Sequence, residues 1–133
     1  MNLGYSENFP WGGETNFESK VLSGEKIRTI RLNEKGRWRA GILLNHLLGN
    51  RTKRRREFLR NNCISTENIT IAFSATGKIK SVMVEGKNIT NWCNIALNDG
   101  LTVNDFEMWF YRSAAAGVFK GTIVHWTNKK YAA

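Results

Sequence analysis

The order of elements legible in this 133-residue sequence predicts an α+β fold, a mostly antiparallel sheet curved or closed into a small β-barrel with flanking short helices. Three observations carry that prediction. Period-two alternation starts just after Gly24 and returns in two runs joined through Ala75-Thr76-Gly77. Helical stripes are short and fall in two places, after Thr15 and between about residues 91 and 112. One proline against twelve glycines leaves the turns to Gly and Asn, which suits tight reversals between strands. With 41% hydrophobic and 23% charged residues, a single domain around one core is expected over residues 1–133.

Taken in order, residues 1–13 carry Tyr5, Phe9, Pro10 and Trp11 ahead of a glycine pair, and read as an arm that lays aromatic rings on the core. Thr15-Asn16-Phe17-Glu18 has capping-box spacing, so a short helix should follow with Phe17, Val21 and Leu22 inward. Gly24 supplies its left-handed end. In the strand beyond, Ile27, Thr29 and Arg31 share one face and Arg28 and Ile30 the other. Lys26 joins Thr29 only if the chain is still irregular just past the glycine. Residues 33–36 read as a turn. The apolar run 42–48 lies between Gly41 and Gly49 and predicts a strand, although its leucines would suit a helix.

The arginine-rich stretch 51–60 reads as a loop. Strands 66–73 and 78–85 form a hairpin, and Glu85-Gly86 turns into a short extended piece ending near Ile89. One helix runs from about 91 to 98 and closes at Asp99-Gly100. The next starts at Thr102 or Asn104 and carries Phe106, Trp109 and Phe110 on one stripe. A last strand covers 119–127, with Phe119, Ile123 and Trp126 inward. No internal repeat is visible.

The net charge of +9 has two sources. Residues 24–41 hold six cations and two acids, and residues 51–60 hold six cations and one acid, so the remainder is neutral. Charge so localised makes a directional field, whose natural partner is a polyanion or a phosphorylated ligand. The plain alternative is a solvated basic loop. Arg51, Lys53, Arg54, Arg55, Arg56 and Arg60 have the composition of a phosphate-contacting segment, since arginine favours bidentate phosphate contacts. Trp11, Trp38 and Trp92 are candidates for stacking on bases; Trp109 and Trp126 read as core.

Cys63 and Cys93 form no C-x-x-C pair and His46 and His125 stand apart, so no metal-ligand spacing and no cofactor are implied. Both thiols read as buried cysteines in a reducing compartment. The N-terminal residues lack the basic-then-apolar pattern of a signal peptide, and no apolar run approaches the ~20 residues of a membrane span. A cytoplasmic protein with no membrane partner is expected.

Helix, Gly24, Lys26-x-x-Thr29-x-Arg31, then Trp38-x-x-Gly41 and an apolar strand resemble the ASCH domain, most closely its small single-domain bacterial and phage members. The closing strand, Phe119-Lys120-Gly121 to His125-Trp126, fits the same subgroup, and the resemblance spans roughly residues 9–131. It implies a PUA-like barrel associated with RNA, with Gly24, Arg28, Arg31 and Trp38 at a ligand cleft. Some small ASCH proteins remove the acetyl group from the exocyclic amine of N-acetylcytidine. Their lysine and threonine match Lys26 and Thr29, and their glutamate is replaced by Asp99, one methylene shorter.

In that chemistry Thr29 is the nucleophile, Lys26 its base once the amine's pKa is lowered, and Asp99 the acid or orienting group. Arg31 and backbone amides after Gly24 would stabilise an oxyanion. Spacing alone leaves a structural alternative, with Lys26 and Arg28 as residues flanking a strand, Thr29 as a β-former and Asp99 as a turn residue. Three functions therefore compete: a nucleic-acid or nucleotide-binding module (RNA favoured), an amidohydrolase on a modified nucleoside, and a protein-interaction scaffold whose basic loop meets an acidic surface. The first accounts for both the charge and the motif.

Overall fold

The computed structural model describes residues 1–32, 36–49 and 53–132. The fold is α+β, with eight strands in two sheets and three helices among the described residues. The smaller sheet has the order β1-β3-β4, from β1 (Asn2–Tyr5), β3 (Leu43–Leu48) and β4 (Arg56–Asn62). Its β1–β3 pair is parallel; every other strand pairing among the described residues is antiparallel. The larger sheet has the order β2-β8-β5-β6-β7, from β2 (Arg28–Leu32), β8 (Val118–His125), β5 (Ser65–Phe73), β6 (Ile79–Val84) and β7 (Lys87–Asn88).

Strand β8 sits between β2 and β5, so both its edges are hydrogen-bonded, and Phe119, Ile123 and Val124 are buried. On β5 the alternation is clean: Glu67, Ile69, Ile71 and Phe73 point inward. Helix α3 (Val103–Arg112) closes the core against β8, with Phe110 between Phe106 and Phe119 at ring separations of 4.9 and 4.8 Å. Its cap is Thr102, whose hydroxyl accepts from the Asp105 amide at 3.1 Å. The expected hairpin, the extended piece at β7, the strand at 42–48 and the helix ending before Asp99-Gly100 are all present.

Several expectations are corrected. Helix α1 (Phe17–Ser23) starts at Asn16 in a left-handed conformation, φ 56°, with no side-chain cap. Thr15 is used elsewhere: its hydroxyl donates to the Ser6 carbonyl at 2.6 Å and the Glu7 carbonyl at 3.1 Å, pinning the arm. The Glu18 carboxylate likewise turns away, to Arg56. No capping box forms. Leu22 is 56% exposed, because the seven-residue helix buries only Phe17 and Val21. The arm's first residues are strand β1, whose partner lies some forty positions away.

Residues 56–60 belong to strand β4 rather than to a loop. Pairing with β3 satisfies their backbone while their charged side chains face solvent along a sheet edge. Cys63 is buried, but Cys93 opens α2 (Cys93–Asn98) and is exposed. Most of the turn expected at 33–36 lies outside the described residues, as does Arg51. Among the described residues no helix is long and apolar enough to cross a membrane.

Candidate functional site

Three local features bring Lys26 and Asp99 together across 73 residues of sequence. Gly24, at φ 82°, ends α1 and turns the chain. Residues 26 and 27 are not yet strand: the Lys26 amide donates to the Lys20 carbonyl at 2.9 Å and the Ile27 amide to the Asn98 carbonyl at 3.0 Å. That irregularity is the condition on which Lys26 and Thr29 can share a face. At Gly100, φ 78°, a side chain would press on Lys26 with its Cβ 3.2 Å from the lysine Cβ, so the glycine lets the end of α2 close over the lysine.

The Lys26 Nζ donates to the Asp99 carbonyl at 2.6 Å and to Asp99 Oδ1 at 2.7 Å, and both residues are buried. The ammonium also lies 5.0 Å from the centre of the Phe17 ring. Burial pushes the Lys26 amine below the ordinary lysine range, with Arg31 pushing the same way and Asp99 opposing. Burial pushes the Asp99 carboxyl up, with Lys26 opposing. Both shifts favour the uncharged amine and the uncharged acid, so transferring a proton from Nζ to the carboxylate costs less here than at a surface.

This pair forms part of the wall of a cavity of about 930 Å³, which Thr29, Arg31, Trp38, Trp109 and Arg54 also line. The Arg31 guanidinium sits 5.3 Å from the Tyr5 ring centre. Behind it runs a buried chain of hydrogen bonds: Tyr5 Oη to His46 Nδ1 at 2.8 Å, and His46 Nε2 to Asn61 Oδ1 at 2.8 Å. The amide oxygen can only accept, so Nε2 carries the proton and the tyrosine hydroxyl donates to Nδ1. Burial holds His46 below the usual histidine range, with Asn61 opposing, which keeps that tautomer neutral. The lone pairs of the Tyr5 oxygen are then left toward Arg31.

The expected residues separate into groups. Lys26, Thr29, Asp99, Arg31 and Trp38 share the cavity, and Arg54 reaches it from the basic stretch. Gly24 does not line it but sets its geometry. Arg28 points to the opposite face of β2 and is fully buried there, outside the cavity. Arg56 forms a two-pronged pair with Glu18, and Arg60 bonds Glu57 at 3.0 Å. Lys53 and Arg55 are exposed. Trp11 stacks on Phe9 at 5.1 Å, and Trp92 on Phe106 at 6.2 Å, so both rings are engaged within the protein.

The parts of Tyr5 and His46 at the site, and the burial of Glu67 outside it, were not among the expectations. A signal existed for Glu67 and His46: period two places each on the inward face of its strand, with Ile69 and Ile71 or with Leu44. A charged or titratable residue at an inward position needs buried partners. Among the described residues no group of three or more metal-ligating side chains is present. No family model, curated protein or solved structure matches this chain.

Proposed function

We propose that this chain is an ASCH-like domain of the PUA-like class that binds a nucleoside or nucleotide unit, RNA being the favoured source. One observation carries the reading: a buried Lys26–Asp99 pair, 2.7 Å apart, faces a cavity of about 930 Å³ that Arg31, Trp38 and Arg54 also line. The volume is in the range of small-molecule pockets and suits one base with its sugar. An aromatic face for the base, cations for phosphate and a hydrogen-bonding pair for the base edge are the recognition elements single-stranded RNA requires. The two sheets are read as the walls of the PUA-like barrel.

Thr29 in the same cavity supports a second reading, amide hydrolysis on a modified nucleoside. Once its own proton has passed to Asp99, the Lys26 amine takes the Thr29 hydroxyl proton as the oxygen attacks the acetyl carbonyl. Arg31 faces the oxyanion that develops. Collapse breaks the C–N bond, and the leaving amine takes the proton from Lys26 or Asp99. Water then cleaves the acyl-threonine and releases acetate.

One titration tests both. Cytidine, N-acetylcytidine and a short single-stranded RNA are added to wild type and to Thr29→Ala, with heat and acetate release followed. Saturable binding of any of the three supports the binding reading, and acetate release lost in Thr29→Ala adds the hydrolytic one. Absence of binding by all three removes both and leaves a scaffold that meets an acidic protein.

A further inference from the structure

Strand alternation sends Arg28 away from the Lys26 cavity, into a second environment that the preceding proposal does not use. Its antiparallel neighbour is His125, and both side chains are fully buried. Among the described residues Arg28 Nε, Nη1 and Nη2 have no hydrogen-bond partner, and neither has His125 Nδ1. Tyr131 covers the guanidinium with its ring, whose centre lies 4.3 Å away, and its hydroxyl interacts with Arg28 electrostatically without meeting hydrogen-bond geometry. Buried guanidinium donors are normally all engaged, because their desolvation is costly.

Nearby carboxylates do not supply the missing acceptors. Asp99 is bonded to Lys26. Glu67 accepts from His125 Nε2 at 2.7 Å and from the Tyr131 and Ala132 amides at 2.8 and 2.9 Å. Among the described residues three cations, Lys26, Arg28 and Arg31, thus stand near two committed carboxylates, an excess of one positive charge beside three donors in a planar fork. That arrangement fits a tetrahedral oxyanion.

The cover over Arg28 is a short strap, residues 128–132, with no helix or strand in it. Besides the two amides on Glu67, the strap is tied among the described residues by Asn98 Nδ2 donating to the Tyr131 hydroxyl at 3.1 Å, Lys87 Nζ to the Ala132 carbonyl at 3.1 Å and the Lys129 amide to Thr127 Oγ1 at 3.4 Å. Residues 128–130 are exposed. A strap held by a few hydrogen bonds can open without disturbing the sheet beneath it.

We infer that Arg28, with His125 beside it, is a phosphate-binding site closed by the Tyr131 strap. The phosphate is either the free ion or the terminal group of a nucleotide. Binding requires the open strap, so the apparent affinity is reduced by the fraction of molecules that are open.

The test follows the Arg28 Nε–H resonance of the full chain during titration with inorganic phosphate at constant ionic strength, and then with cytidine and cytidine monophosphate. A saturable shift with phosphate is expected, tightened roughly tenfold in Tyr131→Ala, where the closed state is weakened. A shift with the monophosphate but not with cytidine assigns the site to a nucleotide's phosphate; a shift with inorganic phosphate alone assigns it to the free ion. Binding of phosphate should be lost in Arg28→Gln. If that variant does not fold, the wild-type and Tyr131→Ala titrations still decide. No saturable Arg28 shift in either protein, or undiminished phosphate binding by folded Arg28→Gln, overturns the site.

Discussion

The two basic stretches carry nearly the same excess charge but stand in opposite physical situations. Around β2, Lys26 and Arg28 are buried, and each is tuned by what encloses it. Along β4, Arg56 and Arg60 remain in water and are paired with Glu18 and Glu57. Desolvation makes an ionic group chemically consequential, because it amplifies every partner and every missing partner. A solvated arginine at a strand edge offers attraction and solubility. Charge count alone does not separate the two.

The largest expected effect breaks the buried side of that contrast. Asp99→Asn or Lys26→Met leaves one charge buried and unpaired, and should cost about 3–5 kcal/mol in urea unfolding. The double variant Lys26→Met with Asp99→Leu should recover most of that stability while losing ligand binding. Stability unchanged in the single variants would mean that water reaches the pair.

Acid sharpens the same contrast at two further buried groups. Burial holds His46 and His125 below the ordinary value of 6.5, with Asn61 opposing at the first, and with Arg28 assisting and Glu67 opposing at the second. The unfolded chain therefore binds more protons than the folded one as pH drops past 6.5. Their stabilising contribution is complete above that value and is lost as pH falls through the depressed folded pKa values. Melting temperature should decline between about pH 7 and about pH 5, and His46→Gln should flatten part of the decline.

The smallest effect belongs to the exposed side. Arg56→Ala and Arg60→Ala should each barely move the urea unfolding midpoint, and added salt should shrink the difference further. A larger loss would mean that the β4 pairs brace the smaller sheet.

What was legible in the sequence was mostly local. Gly24 as a helix end and the 66–85 hairpin form as read, and of the two caps offered for the third helix, Thr102 and Asn104, the chain uses Thr102; each depends on local sequence. The capping box at Thr15 failed because the hydroxyl had better acceptors at Ser6 and Glu7, brought there by the arm. β1 was missed because a four-residue strand has no signature apart from its parallel partner β3. β4 was missed because a run of arginines reads as a loop, although an edge strand tolerates charge on its solvent side. At the site, the Lys26–Asp99 meeting was signalled only by resemblance, since period-two alternation predicts nothing about a lysine that precedes the strand. The direction of Arg28 was written in the alternation itself, which already set it opposite Thr29.

The most direct measurement is amide and indole NMR of the full chain during titration with a short single-stranded RNA. Saturable shifts are expected at Lys26, Thr29, Arg31 and the Trp38 indole, with smaller, salt-sensitive ones along 53–60. Shifts confined to 53–60, with the Lys26–Asp99 cavity silent, would contradict a ligand site built on the buried pair.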